Sequence, residues 1–562
     1  MGRRLRFARH GLSLALALSL AAAGARAATI TIVNLDLPGQ GLNDPTPAAP
    51  IGGNPGTTLG EQRLNVLAAA ASIWGDILPS NVPIRVEASF APRRCAPSTG
   101  VLASAGPKHL FWDFPNAPFG GTSYGGAEAD KFAAKDLRSE DADIAATFNS
   151  EIGSAGCLAG YSFYLGFDHQ EGPDQFDLLP VALHEIAHGL GFLTFTEDST
   201  GAFAGGVPDI FSRFILDANT GLHWNEETDA QRAASDTATF RLLWDGQATR
   251  ERARSLLGPR PVLRVNSPLV IAGDHTVGVA MFGAPLTTTG VTGVVALADD
   301  GDPPTSDGCT ALVDAAQVAG RIALVDRGGC PFATKVRVCQ NAGAIGVIVA
   351  DDAARSEVPG MSGVDTSITI PSVRITRPDG LAIRGLLGAG VSVTLMLDPT
   401  QYAGADPEGR VMLYAPRPRS AGSSINHWDV TAMPNLLMEP NLNPDESSDV
   451  DLTRYAFEDM GWFLPGGGRE DRFGLSPSVP NPFQHTTAIG FWMLVDGEAD
   501  LAVYDVAGRL VKRLSHGAYP AGSHQTAWDG IDERGQRVRS GVYFTRLRML
   551  GVVHSGSVVL VR

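Results

Sequence analysis

Leu178-Leu179-Pro180-Val181-Ala182-Leu183-His184-Glu185-Ile186-Ala187-His188-Gly189-Leu190-Gly191 is the stretch of this 562-residue sequence whose reading organises the rest. It reads as an apolar helix, and a proline in a helix's first turn costs it no hydrogen bond. On that helix His184 and His188 stand at i and i+4, on one face and one turn apart. Two imidazoles so placed can hold one Zn²⁺, with Glu185 beside them to take a proton from a water that the metal activates. The apolar run ahead of His184 would be buried behind such a site.

A catalytic zinc takes three protein ligands and keeps one position open. His184, Glu185, His188 and Gly191 resemble the HExxHxxGxxH helix of the metzincin proteases, but Thr194 stands where that family has its third histidine. Threonine is no zinc ligand, so the third donor must come from elsewhere. The preferred one is His427, in Ser423-Ser424-Ile425-Asn426-His427-Trp428-Asp429. It is followed by Asn435-Leu436-Leu437-Met438-Glu439-Pro440 and by Glu458-Asp459-Met460-Gly461-Trp462. This order resembles the leishmanolysin branch of the metzincins, in which an insertion separates the helix from its third histidine and a Leu-Met turn follows. The resemblance implies zinc on His184, His188 and His427, Glu185 as general base, and Met438 as a structural residue flooring the metal. The acids that follow the helix, Glu197, Asp198 and Asp209, are the alternative third ligands. His169, His223 and His275 lack such context and are read as surface or structural groups.

Around this centre the chain is too long for one core. Thr29 to Asn34 alternates like an edge strand, residues 59–74 carry apolar side chains at helical spacing, and residues 82–89 and 161–167 read as strands. Near residue 263 the texture changes to short apolar runs and Gly-rich turns, with a helix over residues 331–342. There, Val325-Asp326-Arg327-Gly328-Gly329-Cys330-Pro331-Phe332 and Asn341-Ala342-Gly343-Ala344-Ile345-Gly346-Val347-Ile348-Val349 closely resemble the protease-associated (PA) domain. The resemblance covers about residues 267–399 and implies a non-catalytic module that binds substrate or restricts access, with an inert spacer as the alternative. After Pro465-Gly466-Gly467-Gly468, a flexible linker, short strands alternate with turns to the end. Leu501-Ala502-Val503-Tyr504-Asp505-Val506-Ala507-Gly508-Arg509 and Ser540-Gly541-Val542-Tyr543-Phe544 resemble FlgD-like immunoglobulin-type modules and type IX sorting tails. A carbohydrate- or surface-binding sandwich is the other reading of that tail.

Residues 1–27 read as an export signal: Arg3, Arg4, Arg6 and Arg9, an apolar stretch over residues 12–23, and Ala25-Arg26-Ala27 as cleavage site. The apolar stretch is short for a membrane span. Losing that segment's five arginines, and no acid, moves the formal charge from −16 to −21. Such an acidic surface argues against nucleic acid as a partner. Export places the five cysteines in oxidising surroundings, and no CxxC pair marks a zinc knuckle. Cys95 with Cys157, and Cys309 with Cys330, are the preferred disulfides, which leaves Cys339 odd, either buried and free or competing with a neighbour.

The expected fold is therefore a multidomain α+β chain. A signal peptide (1–27) precedes a metzincin-like metalloprotease domain in two parts (28–266 and 400–464), split by an α/β, β-rich PA domain (267–399). A linker (465–472) and an immunoglobulin-like β-sandwich or sorting domain (473–562) follow. The expected function is that of a secreted or cell-surface bacterial zinc endopeptidase. Its partners would be protein or peptide substrates, and secretion machinery or the cell surface through the tail, with no stable membrane insertion after signal removal. The rival readings are a narrow-specificity zinc peptidase or amidase, and a non-catalytic adhesin or binding protein on the same scaffold.

Overall fold

The computed structural model describes residues 27–443, 446–463, 473–475, 478, 480–493, 497–506, 508–520, 522–549 and 552–561. The expected signal segment, apart from Ala27, and the whole of the linker, residues 465–472, lie outside the described residues. Among the described residues no helix is long and apolar enough to cross a membrane.

The first sheet has the order Ile30–Asn34, Ile84–Ala91, Ile144–Asn149, Ala103–Pro107. Its first three strands are parallel and the last runs antiparallel on the edge. Two helices, α1 (Leu59–Ile77) and α3 (Leu178–Leu190), pack in the same core, and α2 (Gly126–Ala133) lies between them in the chain. A capping box starts α1: Thr58 accepts from the Glu61 N–H while the Glu61 side chain reaches back to Thr58. Buried Trp74 on α1 donates its indole N–H to the Leu183 carbonyl at 2.9 Å, joining α1 to the middle of α3. Of the strand expected over residues 161–167, only Ser162–Tyr164 pairs, with Gln175–Asp177. The chain beyond it turns, and Phe167 bonds back to Gly52 instead.

Helix α3 lies very close to the sheet, and Gly189 is what permits this. A Cβ on Gly189 would sit 2.3 Å from Cγ2 of Ile144, itself wholly buried on the adjoining strand. Overpacking of this severity costs up to about 3 kcal/mol. Better helix propensity returns about 1 kcal/mol. Gly189→Ala should therefore lower the unfolding free energy by about 2 kcal/mol, read as a fall in the urea midpoint at unchanged slope.

One hydrophobic core joins chain segments on both sides of the insert. It contains Trp74, Leu183 and Trp244 from the first segment, and Trp428, Met438, Phe457 and Trp462 from the second. A second sheet does the same: Val411–Met412 pairs with Leu242–Trp244, which continues into Ile215–Asp217 and Leu222–His223.

Between these segments an eight-stranded sheet has its own two core clusters. Val291–Leu297, Ile322–Asp326, Gly346–Ala350 and Ser372–Ile375 form its parallel middle, with helices such as Phe332–Asn341 between them in the chain. The sheet is wider than the expected 267–399. Pro259–Ser267 and Ser392–Tyr402, the strands that enter and leave it, pair antiparallel from Pro259 to Tyr402. Arg260, Arg264 and Asn266 interrupt the apolar pattern of the entering strand, and so hid its start. His275 Nδ1 lies 2.8 Å from Asp379 Oδ1 in this unit. The Asp379 hydrogen bond raises the His275 pKa, while that of Asp379 itself is lowered, chiefly by His275 against its burial. The raised histidine contributes stability below its unfolded value of about 6.5 and loses it as pH rises through the folded one. The lowered aspartate contributes above about 3.8. The melting temperature of His275→Gln should accordingly fall furthest below the parent's between about pH 4 and 6.5, with the gap narrowing at higher pH.

The tail is a β-sandwich. A three-stranded sheet (Phe473–Leu475, Thr487–Met493, Gly522–Trp528) faces a four-stranded one (Leu510–Tyr519, Gly497–Tyr504, Gly541–Met549, Val552–Leu560), all antiparallel. Trp528, Phe483, Leu501 and Leu547 fill the space between them. The cysteines pair as Cys95–Cys157 and Cys309–Cys330, and Cys339 is free and buried.

Candidate metal centre

Asp177 begins α3, its Oδ1 accepting from the Leu179 N–H at 3.0 Å. Its Oδ2 meets His169 Nδ1 at 2.7 Å, and His169 Nε2 meets Ser448 Oγ at 2.8 Å. His169 thus ties the start of the helix to the segment beyond the insert. The helix ends at Gly191 with φ +119°, a left-handed conformation that favours glycine, and the Gly191 N–H closes the last turn on Ala187 and His188. Every residue of α3 is buried except His184, which is half-buried.

His427 arrives from the far side. Its Nε2 lies 3.2 Å from His184 Nε2 and 3.3 Å from His188 Nε2. Each ring points its other nitrogen at a backbone carbonyl: His184 Nδ1 at Leu437 (2.7 Å), His188 Nδ1 at Phe192 (2.8 Å), His427 Nδ1 at Ser423 (2.7 Å). A carbonyl can only accept, so each Nδ1 carries the proton and each Nε2 presents a bare lone pair. Three lone pairs converging at such distances repel one another unless a cation lies among them. A tetrahedral zinc with nitrogens at 2.0–2.1 Å would set them about 3.3–3.4 Å apart, so the donor set fits that ion in number, chemistry and spacing. Burial, helped at His188 and His427 by the neighbouring imidazoles, lowers the pKa of His184 to about 4, of His188 to about 3, and of His427 well below its usual range. The rings are therefore in the neutral, ligating form at neutral pH. Among the described residues this is the single group of three or more potential metal donors of these types.

The backbone around His427 is held on two sides. Tyr414 N–H donates to the His427 carbonyl at 2.9 Å, Ile425 N–H to the Tyr414 carbonyl at 2.7 Å, and Trp428 N–H to the Met438 carbonyl at 2.8 Å. Met438 is fully buried, and the carbonyl of its neighbour Leu437 is the one that orients His184. Glu439, which is buried, accepts from the Leu436 N–H at 3.0 Å, and half-buried Asp451 accepts from the Leu437 N–H, so two acids clasp this turn.

Glu185 follows His184 and is 6% exposed. Burial pushes its pKa up to about 8, opposed by the Arg93 guanidinium and by a hydrogen bond from the Ala105 N–H on the edge strand. Its Oε2 has no hydrogen-bond partner. In its ionised form this side chain, with one oxygen anchored and one free beside the histidines, is equipped to accept a proton.

The acids weighed as third ligands are engaged elsewhere. Asp209 accepts from the Phe195 and Ser212 N–H groups and from the Thr194 and Ser212 hydroxyls. Glu197 accepts from Thr200, and Asp198 pairs with Arg419. Thr194 stays in that hydroxyl cluster, its N–H donating to Asn426 Oδ1 at 2.8 Å, one residue before His427. His223 pairs with Asp245, as His275 does with Asp379. Several participants escaped the sequence reading. The Leu437, Phe192 and Ser423 carbonyls and the Ala105 N–H are backbone groups without a side-chain signature. Glu439 follows the apolar run Leu436-Leu437-Met438, whereas Asp451 ends an acidic, serine-containing run in which nothing singles it out.

Comparison with known proteins finds a PA domain model matching residues 291–383 and an FlgD Ig-like domain model matching residues 478–548. A probable lipoprotein aminopeptidase, LpqL, of Mycobacterium tuberculosis is 35% identical over 130 residues, 23% of this chain and 25% of that protein. Human ER degradation-enhancing alpha-mannosidase-like protein 3 is 41% identical over 106 residues, 19% of this chain and 11% of that protein. The chain thus spans a quarter or less of these relatives' length. Among solved structures, BSAP, a zinc aminopeptidase from Bacillus subtilis, aligns with TM-score 0.20 at 19% identity over 34% of this chain and 42% of that one. FlgD from P. aeruginosa aligns with TM-score 0.12 at 22% identity over 16% of this chain and 67% of that one. The chain carries a PA domain and an FlgD-like immunoglobulin-type domain, and its three converging histidines lie outside both matched stretches.

Proposed function

We propose that this chain is an exported zinc endopeptidase of the metzincin type, with His184, His188 and His427 as ligands and Glu185 as general base. The observation that carries the reading is the convergence of three bare imidazole nitrogens, each fixed by a carbonyl behind it. Zinc bound there would polarise the scissile carbonyl and acidify a water. The free oxygen of Glu185 would be placed to accept a proton from a water there and to return it to the leaving amine. Ala103–Pro107 is the antiparallel edge of the first sheet and meets Glu185 at Ala105, and an extended peptide can add to such an edge. An edge strand recognises main chain rather than a terminus, which favours cleavage inside a protein. The two disulfides support an oxidising, extracellular destination, and the FlgD-like domain is a reasonable contact for secretion machinery or the cell surface.

The test is digestion of denatured casein by the purified chain, with and without o-phenanthroline, alongside a zinc determination. Internal cleavage abolished by the chelator supports the proposal. Release of single N-terminal residues would replace it with an aminopeptidase, the activity in the M. tuberculosis relative's name. Bound zinc without any cleavage would favour a binding protein on this scaffold, and no zinc at all would end the reading.

A further inference from the structure

Resting on that reading of the triad, we propose that the inserted PA domain takes part in the metal centre, with Ser356 as a positioning residue for His427. Ser356 belongs to the connection between Gly346–Ala350 and Ser372–Ile375. The root of this connection is pinned within its own domain: buried Asp351 pairs with Arg374 and Arg327 and accepts from the Ala353 N–H at 3.1 Å. From that anchorage Ser356 crosses to the other unit. Its N–H donates to the Arg417 carbonyl at 3.0 Å, and its Oγ accepts from the Arg417 N–H at 2.7 Å. The same Oγ lies 2.7 Å from Thr239 Oγ1. Thr239 has one hydroxyl hydrogen, which goes to the Ala415 carbonyl at 2.8 Å. The Ser356 hydroxyl hydrogen has two acceptors in reach, Thr239 Oγ1 at 2.7 Å and the Arg417 carbonyl at 3.4 Å, and the shorter contact to Thr239 is the better bond.

One hydroxyl thus fastens two chain segments of the catalytic unit to the insert. The fastened segment, which follows Val411–Met412, is the one hydrogen-bonded to the segment that carries His427. Ala415 is wholly buried, and beside it Tyr414 holds the His427 carbonyl and the Ile425 N–H, while Leu413 bridges to Trp428. On the other side of the junction, Arg419 pairs with Asp198 and, at 3.4 Å, with Asp236. A shift of Arg417 is thereby passed along two or three residues of paired backbone to the third ligand. Partners that orient metal ligands typically carry 10–100-fold in affinity. Ser356 acts through a strand, so the lower end of that range is the expected effect.

The experiment measures zinc affinity by competition with a chelating dye, and kcat and KM on a peptide, for the full chain and for Ser356→Ala, Ser356→Thr and Thr239→Val. Ser356→Ala should weaken zinc binding about tenfold and lower kcat at unchanged KM. Thr239→Val, which cuts the same junction from the catalytic side, should do likewise. Ser356→Thr, which keeps the hydroxyl, should restore both. The visible spectrum of the cobalt-substituted Ser356→Ala protein should differ from the parent's, a change that looser folding alone would not cause. Parent-like zinc affinity, kcat and cobalt spectrum in Ser356→Ala and Thr239→Val would overturn the inference, whatever happens to their melting temperatures. A parent chain that holds no zinc would instead sink the reading of the triad, and this inference with it.

Discussion

Glu185→Gln should retain its zinc and lose 10²–10⁴-fold in kcat, roughly the share that a positioned general base contributes. Glutamine keeps the shape of the side chain and can still accept from the Ala105 N–H. It offers no site for a proton near neutral pH, so the oxygen that is free in the parent is chemically silenced. Zinc should stay because the three imidazoles are oriented by the carbonyls of Leu437, Phe192 and Ser423, none of which involves Glu185. Zinc content by atomic absorption beside initial rates on casein separates the two effects. Activity within a few-fold of the parent would remove Glu185 from the role of base, and loss of zinc would make its part structural.

The second large effect is expected at His427. Four ligands in a zinc-finger site hold the metal by roughly 10–16 kcal/mol, so one ligand accounts for about 3–4 kcal/mol, or a hundredfold to a thousandfold in affinity. His427→Ala should fall by about that much in chelator competition and lose activity at limiting zinc. The two histidines left on α3 are a weak pair. Should affinity hold within tenfold, the third donor is another group, although Asp209 and Asp198 are engaged by other partners and Glu197 is exposed and bonded to Thr200. Excess zinc should restore part of the His427→Ala activity and none of the Glu185→Gln activity.

The helical core of the site was the most legible part of the chain, for reasons of distance. His184, Glu185 and His188 share one turn, and their spacing alone states their geometry. Asp177 and Gly191, where the helix begins and ends, could likewise be read locally. His427 lies 243 positions from His184, and nothing in the periodicity of either segment announces that they meet. It was reached by resemblance, through the order of motifs after the insert. The inserted domain and the sandwich showed in their own texture because each has a separate core. Their borders were harder. The strand Pro259–Ser267 alternates its environment too irregularly to declare which side of the boundary it serves. Illegible in principle were the contacts made by backbone atoms, and the junction at Ser356, a serine in a polar stretch like many others. Such groups gain their meaning from what folding sets opposite them.

The division of the catalytic unit around the insert has a consequence in time. A ribosome, or a translocation channel, delivers His184 and His188 long before His427. Until more than two hundred further residues have emerged, and until Val411–Met412 and the residues after it have found their place, the growing polypeptide holds two donors and no third. Fragments that stop anywhere inside the insert are in the same condition. On the proposed function, the order in which the chain is made would act as a safety catch: an unfinished chain would lack the third donor, and competence would come with the last segment of its own core.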